Sequence, residues 1–111
     1  LTGKGVQMKM NFDMIAPKEL DRYVENSSAF IIDLRTPDEY VSKHIRGAVN
    51  IPYEKLENCH LMPRNLVLIL YCERGAVSLV AARELAAKGY RVKSVTGGIR
   101  SYRGKYLESF N

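Results

Sequence analysis

The chain has 111 residues, 46% of them apolar and 26% charged, which is the composition of one globular domain with a core of its own and excludes intrinsic disorder. No apolar run approaches the ~20 residues that span a bilayer, and no charged-then-apolar leader opens the chain, so a cytoplasmic protein without membrane contact is expected. The net charge of +5 comes from 17 basic and 12 acidic residues and favours anionic ligands, but the basic residues are scattered, and a nucleic-acid partner is not expected.

Leu1 to Gly5 reads as a flexible lead-in, and residues 1–6 are set apart from the domain. Val6 to Phe12 is placed as a first short strand. Pro17 suits the first position of a helix whose apolar face is Leu20, Tyr23 and Val24, running to about Asn26. Ala29 to Ile32 is a continuous apolar run, the mark of a strand covered on both faces. Thr36-Pro37-Asp38-Glu39 is a capping-box helix start, and Gly47 keeps that helix short. Ala48 to Ile51 reads as a small strand ended by Pro52, and Tyr53 to Asn65 as short helical turns and loop. Leu66 to Tyr71 is the most apolar run and is predicted as the central strand. A helix from about Val77 to Lys88 follows, with Gly89 as its stop. Val92 to Val95 is the last strand, and Gly97-Gly98 turns into a final helix. Strands alternating with helices predict a parallel sheet with helices on both faces. Ligands bind such sheets beyond the carboxyl ends of the strands, here the loops after Leu34, Tyr71 and Thr96.

Cys72 follows the central strand directly, and Gly75 lets the next residues curl before the helix begins. A curled loop at a helix N-terminus turns its N–H groups inward as an anion cradle. A thiolate there is stabilised by those groups and by the helix dipole, with Arg74 adding positive charge, which makes Cys72 a nucleophile. The alternative is a structural cysteine at a strand end. Cys59 lies thirteen positions away, neither a redox nor a zinc spacing, and reads as a passive thiol.

The segment Cys72-Glu73-Arg74-Gly75-Ala76-Val77 resembles the active loop of the rhodanese family. The stretches Asp33 to Tyr40 and His44 to Pro52 are similar to that family's N-terminal signature, and Gly97 to Tyr102 to its C-terminal one. The resemblance covers residues 7–107 and leaves 108–111 as a tail. It implies a three-layer α/β/α domain with a mostly parallel five-stranded sheet. It implies a sulfurtransferase that takes sulfane sulfur from thiosulfate or another persulfide donor onto Cys72 and passes it to a thiol, or to cyanide in an assay. A protein could serve as donor or acceptor. The N–H groups from Glu73 through Arg74, Gly75, Ala76, Val77 and Ser78 would cradle the persulfide, and neither metal nor organic cofactor is implied. Val77 stands where many relatives carry a basic residue, Lys43 where glycine is common, and Tyr102 where tryptophan is usual.

Asp33 and Arg35 flank the end of a buried strand and are expected to support the loops, Arg35 by pairing with Glu39 or Asp33. His44 is expected to make a structural hydrogen bond. Arg46, Arg100 and Arg103 are candidates for the rim of the site. Two rivals remain: a regulatory or protein-interaction module of the same fold, and a cysteine-dependent phosphatase. The latter needs an arginine six residues after the cysteine, where this chain has Ser78.

Overall fold

The computed structural model describes residues 11–59 and 62–110. Five strands form one fully parallel sheet: β1 (Asp13–Ile15), β2 (Ala29–Asp33), β4 (Val49–Asn50), β5 (Val67–Tyr71) and β6 (Arg91–Val95), in the order β1-β6-β5-β2-β4. Among the described residues, two α-helices, α1 (Pro37–Ser42) and α2 (Ala76–Ala87), and three 3-10 helices, Pro17–Arg22, Tyr53–Asn58 and Ile99–Ser101, accompany them. A separate antiparallel pair joins β3 (His44–Ile45) to β7 (Leu107–Glu108).

The pleat of the sheet sorts the core into two layers. Ile32, Leu68, Leu70 and Val92 face α2 and the 3-10 helix at Tyr53–Asn58, packing on Leu56, Ala81, Ala82 and Leu85. Ile31, Ile69, Tyr71 and Val95 face the opposite way, onto Leu20, Ile45, Ile99 and Tyr102. Leu68, Ile69 and Leu70 are completely buried. Each contributes about 1.5–3 kcal/mol on the usual transfer scale. The strand that leads into Cys72 is therefore the best-anchored part of the chain. Among the described residues, no helix is long and apolar enough to cross a membrane.

Several expectations need correction. The strand expected at 6–12 lies mostly outside the described residues, as does the lead-in 1–6; Asn11 and Phe12 are not in a strand, and β1 starts at Asp13. The segments after Pro17 and after Gly98 wind as 3-10 rather than longer helices, the second only three residues long. Neither has the side-chain cap that holds the short α1, and packing sets the geometry of both. The β3–β7 pair was not expected, because two-residue strands carry no periodicity to read. It pairs Glu108, taken from sequence as the start of the tail, with His44.

Candidate active site

Cys72 continues the alternation of Leu68 and Leu70, so its side chain points to the α2 side of the sheet, directly beneath the start of that helix. Gly75, the residue before α2, has a left-handed backbone with φ of 105° and folds the loop back over the sulfur. A Cβ there would stand 2.9 Å from the Gly97 nitrogen, so the close approach needs glycine as well. The result is a sulfur held by backbone donors. The Gly75 N–H donates to Cys72 Sγ at 3.1 Å and the Ser78 N–H at 3.3 Å. Ser78 is locked in turn: its hydroxyl donates to the Gly75 carbonyl at 3.2 Å and lies 2.9 Å from the Ser94 hydroxyl. Ser94, in β6, was missed by sequence reading, because nothing in its neighbours marks the end of a hydrogen bond from helix to strand.

The outer side of the loop is tied to the turn after β6. The Cys72 carbonyl accepts from the Ile99 N–H at 3.0 Å and the Glu73 carbonyl from the Arg100 N–H at 3.1 Å. In a trans peptide the carbonyl and the following N–H point in opposite directions. Holding these two carbonyls outward therefore turns the Glu73 and Arg74 N–H groups to the inner side. Gly98 makes this possible, since a Cβ on it would fall on the Cys72 and Glu73 carbonyl oxygens.

Beside the loop lies a buried ion pair. Asp33 is fully buried, and its carboxylate accepts from the Arg35 guanidinium at 2.8 Å (Nη2), 3.2 and 3.3 Å (Nε), and from the Arg35 N–H at 2.9 Å. The same guanidinium donates to Glu73 at 3.2 Å and to the Lys43 carbonyl. Burial acts most strongly on Arg35 and opposes its charge, but the hydrogen bond and charge of Asp33, with Glu73, outweigh it and raise its pKa. Arg35 is thus committed to pinning the loops together. The pairing is with Asp33 and Glu73, and no hydrogen bond joins it to Glu39, which instead completes the capping box with Thr36. Tyr71 is the register partner of Asp33, on the face of the sheet opposite Cys72; burial first and the Asp33 charge second push its phenol well above the ordinary range, and its oxygen accepts the Ile45 N–H at 3.0 Å.

His44 is buried, with its Nδ1 2.7 Å from the Tyr40 carbonyl and its ring stacked on Tyr40, the structural role expected of it. Arg46 pairs with Glu108 at 2.7 Å, and Arg103 donates to the Arg100 and Tyr102 carbonyls. Arg100 comes within 3.8 Å of Glu73. Of the three, Arg100 alone approaches the loop.

A cleft of about 460 Å³ opens above Cys72. Loop residues Glu73, Arg74, Ala76 and Val77 form one wall, and Leu34, Arg35, Thr36, Glu39, Tyr53 and Glu54 close the others. Tyr53 is fixed by its N–H to the Leu34 carbonyl at 3.1 Å and by its hydroxyl to Glu84 of α2 at 3.0 Å. Sequence reading placed the loop after Leu34 at the site but missed Tyr53 and Glu54, which come from a segment without a motif. The arrangement offers a sulfur that accepts two backbone hydrogen bonds at the floor of an open cleft.

A family model described as rhodanese-like domain matches residues 16–105. A tRNA sulfurtransferase of Desulfurococcus amylolyticus is 37% identical over 75 residues, which are 68% of this chain and 15% of that protein. A thiosulfate sulfurtransferase of Escherichia coli is 31% identical over 72 residues, 62% of this chain and 69% of its own length. The crystal structure of a rhodanese-like domain protein from Staphylococcus aureus superposes with a TM-score of 0.77 at 26% identity, covering 88% of this chain and 98% of that one. The chain thus spans a small part of the first relative and most of the other two.

Proposed function

The chain belongs to the rhodanese-like domain family, and from that premise we propose that it is a sulfurtransferase working through a persulfide on Cys72. The observation that carries the proposal is the pair of backbone N–H groups, from Gly75 and Ser78, aimed at Cys72 Sγ on the floor of an open cleft. Donors fixed around a sulfur stabilise it as an anion before reaction, and they need not rearrange when the charge moves.

In the proposed cycle the Cys72 thiolate attacks the outer sulfur of thiosulfate or of a persulfide donor. The donor's S–S bond breaks, and its electron pair leaves on sulfite or on the donor thiolate. The new terminal sulfur bears the charge, one atom further out, where the inward Glu73 and Arg74 N–H groups support it. An acceptor thiolate, or cyanide, then attacks that terminal sulfur and returns Cys72 to a thiolate. Ala76 and Val77 wall the cleft, Ser78 holds the helix end to the sulfur, and Asp33 with Arg35 keeps the loop in place. No step asks for a metal or an organic cofactor, and a reducing, cytoplasmic setting would keep both cysteines as thiols. A protein that presents or accepts the sulfur is compatible with the cleft. A phosphatase reading is disfavoured, since Ser78 stands where the phosphate-binding arginine would be needed and its side chain is buried on Ser94.

Steady-state kinetics with cyanide as acceptor tests the proposal. Parallel double-reciprocal lines against donor, with activity at background in Cys72→Ser, are the expected result. Phosphate-ester hydrolysis dependent on Cys72, without sulfur transfer, would refute it.

A further inference from the structure

The protein carries a net charge of +5, yet little of it reaches the cleft. The lining holds two guanidinium groups, Arg35 and Arg74, against three carboxylates, Glu39, Glu54 and Glu73. Arg35 is consumed by Asp33, Glu73 and the Lys43 carbonyl. Glu73 is shared between Arg35 and Arg100. Among the described residues, Arg74, Glu39 and Glu54 make no ion pair, so one uncommitted cation shares the lining with two carboxylates that no cation neutralises. Apart from Thr36 and Cys72, the rest of the lining is Leu34, Tyr53, Ala76 and Val77, which give the cleft an apolar wall. Val77 is 41% exposed at the second position of α2, where a polar side chain would cost nothing in packing.

A dianion such as thiosulfate needs compensating charge when it leaves water. An apolar wall and a rim without excess cations do not supply it, whereas they do match a donor with an uncharged organic body. Resting on the sulfurtransferase reading above, we propose that the cleft selects an organic persulfide, R–S–SH with an apolar R group, over thiosulfate, and that Val77 and Glu54 set this preference. The Cys72 thiolate attacks the outer sulfur of R–S–SH, the donor's S–S bond breaks as the Cys72–sulfur bond forms, and R–S⁻ departs with the electron pair. The proton stays on the transferred sulfur or passes to the departing thiolate, and no external oxidant or reductant is needed. R occupies the space between Tyr53 and Val77.

The test uses two donors that react at the same kind of outer sulfur: thiosulfate, and benzenethiosulfonate, in which a phenyl group replaces one charged oxygen. The transfer from benzenethiosulfonate balances in the same way, with benzenesulfinate leaving. The readout is the ratio of kcat/KM for the two donors, in the wild type, Val77→Lys and Glu54→Gln. Comparing the ratio between variants cancels the donors' own reactivities. The expected result is a wild-type ratio above about tenfold in favour of benzenethiosulfonate, which falls by about tenfold in Val77→Lys, chiefly through a lower thiosulfate KM. A smaller fall in the same direction is expected in Glu54→Gln. A ratio near one, or one that neither variant moves while both donors place sulfur on Cys72, would overturn the preference and leave the sulfurtransferase reading standing. Failure of both donors to place sulfur on Cys72 in the wild type would overturn that reading and the preference with it.

Discussion

The two cysteines share one apolar layer of the core and differ in what surrounds their sulfurs. Cys59 closes the 3-10 helix at Tyr53–Asn58, partly buried against the same cluster that contains Cys72. Among the described residues nothing donates a hydrogen bond to its sulfur, and it borders a second cleft with Met62, Arg64, Lys88 and Tyr90. Cys72 is 5% exposed, more buried than Cys59, yet two backbone N–H groups converge on it. Burial alone favours the neutral thiol; oriented donors favour charge. Loop geometry thus sets the two sulfurs apart, and it is held from three directions: the buried strand, the turn after β6, and the Asp33–Arg35 pair.

The largest effect expected breaks the comparison at its centre. Cys72→Ser should reduce sulfur transfer to background, while Cys59→Ser should retain wild-type turnover. A loss of similar size in Cys59→Ser would give the second thiol a part in the reaction. Next is the ion pair. Asp33→Ala leaves the Arg35 guanidinium buried without its main partner, which should cost about 3–5 kcal/mol in denaturant unfolding. Urea titration of the variant beside the wild type measures it. Then comes the turn behind the loop. Gly98→Ala brings a Cβ onto the Cys72 and Glu73 carbonyls at a residue whose φ is 64°, so a destabilisation of about 1–3 kcal/mol should accompany a fall in turnover. Unchanged turnover would show that the two carbonyl hydrogen bonds do not aim the loop.

The smallest effect lies furthest from the sulfur. Hydrogen bonds from Thr36, the backbone one first, lower the pKa of Glu39. A group whose folded-state pKa is depressed contributes stability above its unfolded value of ~4.3, and the contribution is lost as pH falls through the folded value. Thr36→Ala should cost about 0.5–2 kcal/mol near neutral pH. The backbone N–H at position 36 still donates to Glu39 in this variant, so only the part of the acid-side stability loss due to the hydroxyl should disappear below pH ~4.3, which thermal unfolding against pH measures.

Much of this arrangement was legible in the sequence because it depends on local pattern. The run of five apolar residues before Tyr71 marks the buried strand, Thr36 and Glu39 mark a capping box, and Cys72 with Gly75 marks the curled loop. What was not legible depends on partners distant in sequence. Asp33 and Arg35 flagged the strand end, but the bond from Arg35 to Glu73 spans 38 positions. Gly97-Gly98 read as a turn into a helix; that it clamps the carbonyls of the Cys72 loop follows from the neighbouring positions of β5 and β6. Tyr53 and Glu54 sit in a segment with no periodic signal, and they wall the cleft because 3-10 winding and the bond to Glu84 bring them there. The positive net charge pointed to anionic ligands in general, but its distribution, which leaves no cationic excess in the lining of the cleft, is a property of the fold.

The most direct measurement of the central claim is the intact mass of the reduced protein after incubation with thiosulfate and, separately, with benzenethiosulfonate, followed by peptide mapping. The account expects a gain of one sulfur atom on the peptide containing Cys72, removed by cyanide and absent in Cys72→Ser. Sulfur on Cys59 instead, or no gain from either donor while Cys72 remains open to alkylation, would contradict it.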